Sequence, residues 1–180
     1  DKDIRAILEQ PMHRSAWGRY RISSLRKTLK SAWDTELSRI AGDRQASPRN
    51  RVRALELLQV MGPRSDSATL VTLAKDPSRE VRAVSILLLG THPLKDGYST
   101  LLDSLEDKDP LVVRRACESL LRAGLGTVDG GGEQNRLLTR LFELLDHSDR
   151  LVRYAARLTL QRLPLDSWTS LVLEDSIKKR

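Results

Sequence analysis

The dipeptide Val-Arg occurs four times in this chain, and its recurrence restricts the fold more than any other feature. Intervals of roughly 30 to 40 residues between the copies are typical of proteins built from repeated structural elements. The copies are Val52-Arg53, Val81-Arg82, Val113-Arg114 and Val152-Arg153. Three residues after each valine stand Leu55, Val84, Ala116 and Ala155, and eight residues after it stand Val60, Leu89, Leu121 and Leu160.

The spacing of these apolar residues identifies the secondary structure. Offsets of three, seven and eight residues place side chains on one face of an α-helix. Positions before each valine follow the same spacing, with Arg44 as the exception in the first repeat. Each repeat is therefore predicted to be two amphipathic helices joined by a tight turn. The predicted first helices are 30–43, 66–75, 96–106 and 134–146, and the predicted second helices are 50–61, 78–89, 110–123 and 149–163.

Local turn signals agree with these boundaries. A cap residue followed by proline favours a helix start, and glycine favours a helix end. The longest connection, 124–132, is glycine-rich and is predicted to be a flexible loop. The start signals are Asp76-Pro77 and Asp109-Pro110, and the end signals are Gly62, Gly90 and Gly124.

The composition favours the same all-α fold. Only 4% of the residues are aromatic, and Leu, Ala, Arg and Glu are frequent, which suits helices better than strands. With 39% hydrophobic and 31% charged residues, the chain is expected to fold. No apolar stretch approaches the length of a membrane span. The single cysteine, Cys117, excludes an internal disulfide and any multi-cysteine metal framework.

Three stretches carry a resemblance to a known family. They are Asp-Pro-Ser-Arg-Glu-Val-Arg-Ala at 76–83, Asp-Pro-Leu-Val-Val-Arg-Arg-Ala at 109–116 and Ser-Asp-Arg-Leu-Val-Arg-Tyr-Ala-Ala at 148–156. Over residues 36–163 the chain resembles HEAT-like repeats of the short type named after phycobilisome lyases. The resemblance implies a right-handed α–α superhelix of about four helix pairs. It also suggests a segment of a larger bacterial multi-domain protein.

The predicted organisation is a single domain that covers residues 1–180. It comprises a basic N-terminal helical segment (1–35), four repeats (36–163) and a short C-terminal capping helix (164–180). Trp168, Leu171 and Val172 of this cap would cover the last exposed apolar face. Because the chain starts at Asp1 and lacks the pattern of a signal peptide, we expect a fragment of a longer protein, monomeric in isolation.

The recurring arginines admit two interpretations. They could form a phosphate-binding row along the repeats. Alternatively, as the resemblance implies, they pair with turn aspartates and form an interior ladder between adjacent repeats, and we favour this structural role. The arginines are Arg53, Arg82, Arg114 and Arg153, and the aspartates are Asp76, Asp109 and Asp149.

The stretch from Gln10 to Trp33 is basic and contains no Asp or Glu. Basic side chains attract phosphates and aromatic rings stack on bases, which makes this stretch the best candidate for nucleic-acid binding. In the alternative that we favour, Trp17, Tyr20 and Leu25 form the buried side of a helix and the arginines form a solvated face. The candidate nucleic-acid-binding residues are Arg14, Trp17, Arg19, Tyr20, Arg21, Arg26, Lys27 and Lys30, interleaved with His13 and Trp33.

The sequence contains no specific catalytic pattern. His13, His92 and His147 are too scattered for a helical metal motif. Cys117 is predicted to be a buried, inert thiol. The glycines at 130–132 lack the Lys-Ser/Thr that follows them in a phosphate loop. No catalytic residue, cofactor or metal is therefore predicted.

We predict a non-enzymatic binding module, because stacked helix pairs present an extended surface without a compact reaction site. A protein partner is expected along the inner row of second helices. Nucleic-acid binding through residues 10–33 is the first alternative, and a helical-repeat enzyme, either a chromophore lyase or a DNA glycosylase, is the second. The predicted partner-binding residues are Glu56, Arg79, Arg115 and Arg157.

Overall fold

The computed structural model describes residues 2–123 and 132–169, which form ten α-helices and two short 3₁₀ helices. The chain divides into two compact units, Asp1–Ser85 and Ile86–Arg180. The α-helices are α1 (Lys2–Leu8), α2 (Ala16–Leu29), α3 (Ser31–Gly42), α4 (Pro48–Met61), α5 (Ser67–Leu73), α6 (Arg79–Leu89), α7 (Tyr98–Ser104), α8 (Pro110–Ala123), α9 (Gly132–Leu144) and α10 (Arg150–Arg162). The 3₁₀ helices are Leu94–Asp96 and Leu165–Ser167.

All eight predicted repeat helices are present as α3 to α10, and no helix end differs from its prediction by more than two residues. Within the first unit α3 packs along α4, and within the second unit α7 packs along α8 and α9 along α10. In the second unit, α8 also packs against α10. Residues 124–131 of the predicted loop and 170–180 of the predicted cap lie outside the described residues.

The repeats can also be aligned on the residue that precedes each second helix, and this alignment differs from the one based on the Val-Arg dipeptides. Each of these helices starts directly after a serine or an aspartate whose side chain accepts a hydrogen bond from an N–H of the first turn. Such residues satisfy N–H groups that lack a partner within the helix. The four residues are Ser47, Ser78, Asp109 and Asp149.

The first repeat is therefore out of register in the Val-Arg alignment. Counted from these cap residues, Arg51 of α4 takes the position of Arg82 in α6. Val60, predicted on the buried face, is 71% exposed, so that prediction is wrong. A shift of two residues rotates a helix face by more than half a turn, which accounts for the error. The residues that α4 buries are Arg51, Ala54, Leu55, Leu57 and Leu58.

The start signal at Asp76-Pro77 also needs correction. α6 begins at Arg79, so neither residue is in its first turn, and Asp76 instead accepts a hydrogen bond from the backbone N–H of Ser78 at 2.9 Å. Pro110, by contrast, is the first residue of α8, as its position after Asp109 predicts.

An arginine–aspartate pair is buried inside the first unit, but its arginine is Arg51 rather than the predicted Arg53. Arg51 Nη1 and Nη2 donate to the two carboxylate oxygens of Asp76 at 3.1 and 2.6 Å, and Arg51 Nε donates to the Ala41 carbonyl at 3.1 Å. Both side chains are at most 3% exposed. Such a bidentate pair fixes the turn before α6 relative to α4.

The arginines of the Val-Arg copies make other contacts. Arg53 Nη1 donates to the Gln10 carbonyl at 2.9 Å, and Arg114 Nε lies 3.4 Å from Glu118 Oε1. Arg82 Nη1 donates to the carbonyls of Asp76 and Pro77, and Arg153 Nη1 donates to those of His147 and Ser148. The last two arginines thus bind backbone of the turn before their own helix. Arg53 and Arg153 thus contact backbone carbonyls, where the prediction had paired them with turn aspartates.

The buried pair predicts a pH dependence of stability. Burial alone would raise the pKa of Asp76, but the hydrogen bonds from Arg51 and from the Ser78 N–H outweigh it and lower the pKa below the usual 3.8. The contribution of the carboxylate to stability is therefore complete above about pH 3.8 and is lost as the pH falls through the lowered pKa. The difference in the free energy of unfolding between wild type and Asp76→Asn, measured with urea, should be constant near neutral pH. It should become smaller as the pH falls into the acid range. A difference that does not change with pH would contradict this assignment.

The N-terminal helices belong to the core of the first unit. α1 contributes Ile4 and Ile7, and α2 contributes Ile22 and Leu29, all buried. Trp33 of α3 is fully buried, and its Nε1 donates to the Gly62 carbonyl at 2.8 Å. No described helix is both long enough and apolar enough to cross a membrane.

In the second unit, the end of α6 lies very close to α8. Ser119 Oγ donates to the Ile86 carbonyl at 2.9 Å, and both residues are fully buried. A Cβ atom added to Gly90 would lie 2.6 Å from Ser119 Cβ and 2.7 Å from Ser119 Cα. Only glycine therefore fits at this position.

Candidate functional site

A partly apolar groove lies between α8 and α10 in the second unit, and we call it the α8–α10 groove. Its volume is about 230 Å³. Both helices are second helices of their pairs, so the groove lies on the row where partner contacts were predicted. The lining residues are Arg114, Glu118, Leu121, Leu151, Tyr154, Ala155 and Leu158.

Two large apolar side chains of the groove face solvent. Leu151 is 43% exposed and Tyr154 is 52% exposed, while Val152 and Ala156 of the same helix are fully buried. α10 thus has a buried stripe that belongs to the core and a separate apolar stripe that does not. Exposed apolar groups gathered around a groove are typical of interaction sites.

The two helices that form the groove are strongly basic. α8 and α10 together contain seven arginines, and Glu118 is their one acidic residue. Glu118 is engaged by the guanidinium groups of Arg114 and Arg115. The α10 arginines are exposed and have no acidic residue on their own helix to balance them. They are Arg150, Arg153, Arg157 and Arg162.

Two of the predicted partner-binding residues border the groove. Arg157 is exposed, and its Cζ lies 5.4 Å from the centroid of the Tyr154 ring, a cation–π contact that orients both side chains. Arg115 is partly buried and pairs with Glu118. Arg157 therefore stays a candidate for direct contact, whereas Arg115 would first have to leave Glu118.

The other two predicted partner-binding residues lie in different surroundings. Glu56 of α4 contacts His13 and Arg14, so residues of the N-terminal segment already engage its carboxylate. Arg79 is largely exposed and pairs with the adjacent Glu80 at 3.0 Å. Glu56 and Arg79 belong to the first unit, and the α8–α10 groove belongs to the second.

The pKa of His13 is displaced by its surroundings. Its Nε2 lies 3.2 Å from Glu56 Oε2. Burial, followed by the positive charge of Arg53, lowers the pKa of His13, although Glu56 opposes the shift. The neutral imidazole is therefore favoured at neutral pH, and Glu56 balances the charges of Arg14 and Arg53 rather than that of His13.

The basic segment is arranged differently from the predicted buried-aromatic helix. α2 buries Gly18, Ile22 and Leu29, while Trp17 and Tyr20 are exposed. The alternative that placed these two rings in the core is therefore wrong, because the other face of α2 supplies the buried residues. The remaining candidates, all exposed, are Arg14, Arg19, Arg21, Arg26, Lys27 and Lys30.

Cys117 and Tyr98 are buried groups without the properties of a nucleophile. Cys117 is fully buried, as predicted, and burial raises the pKa of its thiol to about 12. Burial likewise raises the pKa of Tyr98 to about 12. Both groups are protonated at neutral pH. Across residues 2–123 and 132–169, no three His, Cys, Asp or Glu side chains are grouped so that they could hold a metal ion.

Leu151 and Tyr154 are groove residues that were not predicted from the sequence. Both are apolar positions of α10 that fall outside the stripe aligned from the Val-Arg dipeptides. An apolar residue off the core stripe of a repeat helix is a usable signal, because the repeat itself does not need it. Arginine enrichment in α10 without any acidic residue is a second signal.

Consecutive helix pairs and repeated turn contacts define this chain as an α-helical repeat protein. A family model of HEAT repeats matches residues 37–122 and 67–161, and the chain belongs to the HEAT repeat family. Members of this family generally serve as scaffolds for protein–protein interaction and are typically non-enzymatic. A comparison with curated proteins gave no match. The resemblance to the phycobilisome-lyase type stays a prediction.

Proposed function

We propose that this chain is a non-enzymatic module that binds a partner protein through the α8–α10 groove. The partner contributes a segment with an apolar side chain flanked by carboxylates. The observation that carries the proposal is the exposed pair Leu151 and Tyr154 on a helix that carries four exposed arginines and no acidic residue. The family's general role in protein interaction supports the same function.

The chemistry of the groove explains why such a segment would bind. Burial of an apolar side chain between Leu121, Leu151 and Leu158 removes apolar surface from water on both partners. The ring of Tyr154 is large and has few rotatable bonds, so it contacts a partner at a small cost in conformational entropy. The arginines attract carboxylates from a distance and pair with them at the rim.

The proposal is tested by selecting peptides from a displayed library against the whole chain. We expect the enriched peptides to contain Leu, Ile, Met or Phe with Asp or Glu nearby. Leu151→Ser/Tyr154→Ser should weaken binding of a synthetic enriched peptide at least about tenfold, since residues at the centre of an interface contribute more than about 1 kcal/mol each. Fluorescence polarisation gives the dissociation constants.

The matched control is Val60→Ser, because Val60 is also an exposed apolar residue of a second helix but lies outside the groove. It should bind the peptide as wild type does, and affinity should fall as the salt concentration rises. Equal weakening by Val60→Ser, or enriched peptides without acidic residues, would contradict the proposal.

A further inference from the structure

The exposed face of α2 is not used by the proposed protein-binding function. Its Trp17 and Tyr20 side chains are 59% and 76% exposed. Residues three apart are neighbours on a helix surface, so both residues belong to the same exposed side of α2. The guanidinium carbon of Arg21 lies 5.7 Å from the centroid of the Trp17 ring. This face therefore combines two solvent-facing rings with a cation held beside one of them.

The charged residues of α2 are all basic. α2 carries Arg19, Arg21, Arg26 and Lys27 and no acidic residue. Arg26 and Lys27 are explained by the fold, because cations near a helix C-terminus complement its dipole. In addition, the guanidinium carbon of Arg26 lies 5.5 Å from the centroid of the buried Trp33 ring. Arg19 and Arg21 lie away from the helix C-terminus, and the ring beside Arg21 is the exposed Trp17 rather than a buried one.

Acidic residues lie near both ends of α2. Glu56 engages Arg14 before the start of α2. After its end, Asp34 lines an open depression of about 370 Å³ together with Lys27 and Lys30. The first turns of α2, where the rings lie, contain Arg19 and Arg21 and no acidic residue.

We propose that this face of α2 binds single-stranded nucleic acid. Arginine and lysine side chains attract the phosphates, and Trp17 and Tyr20 stack on unpaired bases. Duplex DNA hides its base faces, so it would use the charges but not the rings. A membrane surface fits less well, because a helix that inserts into lipid needs a free apolar face, and Ile22 and Leu29 of α2 are buried in the protein.

The experiment measures binding of a fluorescent oligothymidylate to the whole chain by anisotropy at several salt concentrations. Arg19→Gln/Arg21→Gln/Lys27→Gln should reduce the slope of log affinity against log salt by about 2, at roughly 0.7 per lost phosphate contact. Trp17→Ala/Tyr20→Ala should weaken binding by roughly 10-fold or more and leave that slope unchanged. Trp17→Phe/Tyr20→Phe, which keeps the ring faces, should restore most of the affinity.

The charge control is Lys75→Gln/Lys95→Gln/Lys108→Gln, which removes the same formal charge from exposed positions outside α2. It should leave the slope close to that of wild type. The proposal is overturned if oligothymidylate does not bind at low ionic strength, or if this control reduces the slope as much as the triple substitution on α2. It is also overturned if Trp17→Ala/Tyr20→Ala binds oligothymidylate as tightly as wild type. Preferential binding to vesicles of anionic lipid over oligothymidylate would also overturn it. Circular dichroism of each variant confirms that the helices are intact.

Discussion

Replacing Asp76 with asparagine should lower the free energy of unfolding by about 3 kcal/mol, although the side chain keeps its shape. The variant leaves the Arg51 guanidinium buried with two of its donors facing an uncharged amide. Loss of one partner of a buried pair costs more than the pair itself contributes, because the remaining charge has no compensation. The amide oxygen of the introduced asparagine can still accept the hydrogen bond from the Ser78 N–H, so the turn geometry is preserved.

The double variant Arg51→Met/Asp76→Asn separates charge burial from loss of contacts. It should be more stable than Asp76→Asn alone, since it removes the uncompensated charge. The control is Asp66→Asn, an exposed cap residue of the same unit that accepts a hydrogen bond from the Thr69 N–H. Asparagine caps helices as well as aspartate, so this change should cost less than about 0.5 kcal/mol. If urea unfolding shows that Asp66→Asn and Asp76→Asn destabilise the protein equally, the proposed role of the buried pair is wrong.

Gly90→Ala should be the second large effect, a loss of about 2 kcal/mol measured by thermal or urea unfolding. The added methyl group would lie 2.6 to 2.7 Å from three atoms of Ser119, one of them the backbone Cα. The end of α6 must then move away from α8, and the hydrogen bond from Ser119 to the Ile86 carbonyl lengthens or breaks. Overpacking and a lost buried hydrogen bond act in the same direction.

Gly42→Ala is the matched control for this substitution. Gly42 ends α3, and no atom lies within 4 Å of a Cβ added there. Alanine should therefore be neutral or stabilise the protein by up to about 1 kcal/mol, because it restricts the unfolded chain. Ser119→Gly should recover only part of the stability lost in Gly90→Ala, since the Ser119 Cα atom remains 2.7 Å away. If Gly90→Ala unfolds like Gly42→Ala, the helices are not as close as the structure places them.

Helix positions could be predicted from the sequence because apolar spacing determines which residues reach the core. The register of the first repeat could not be predicted from this spacing. Val52-Arg53 has the same two letters as the other copies, but Ser47 and Pro48 start α4 so that Arg51 faces inward. A cap residue fixes where a helix begins, and the dipeptide does not. When the repeats are aligned on Ser47, Ser78, Asp109 and Asp149, the residues seven, ten and eleven positions after the cap are buried in every repeat.

The candidate sites were only partly accessible from the sequence. Periodicity could not decide which face of α2 is buried, because Trp17 and Tyr20 are as suitable for a core as Ile22 and Leu29. Packing of α1 and α3 against α2 decides it. Glu56 was a reasonable surface candidate on α4, but a contact with His13 and Arg14 joins residues that are distant in sequence. A local sequence pattern cannot predict such a long-range contact.

The pair formed by Arg51 and Asp76 also limits how the protein can be divided. One residue belongs to the helix pair α3–α4 and the other to the turn that opens the next second helix, so a cut between them would leave a lone guanidinium in the interior. Individual helix pairs are thus poor choices for expression as isolated pieces. The shortest amino-terminal fragment worth preparing extends through α6.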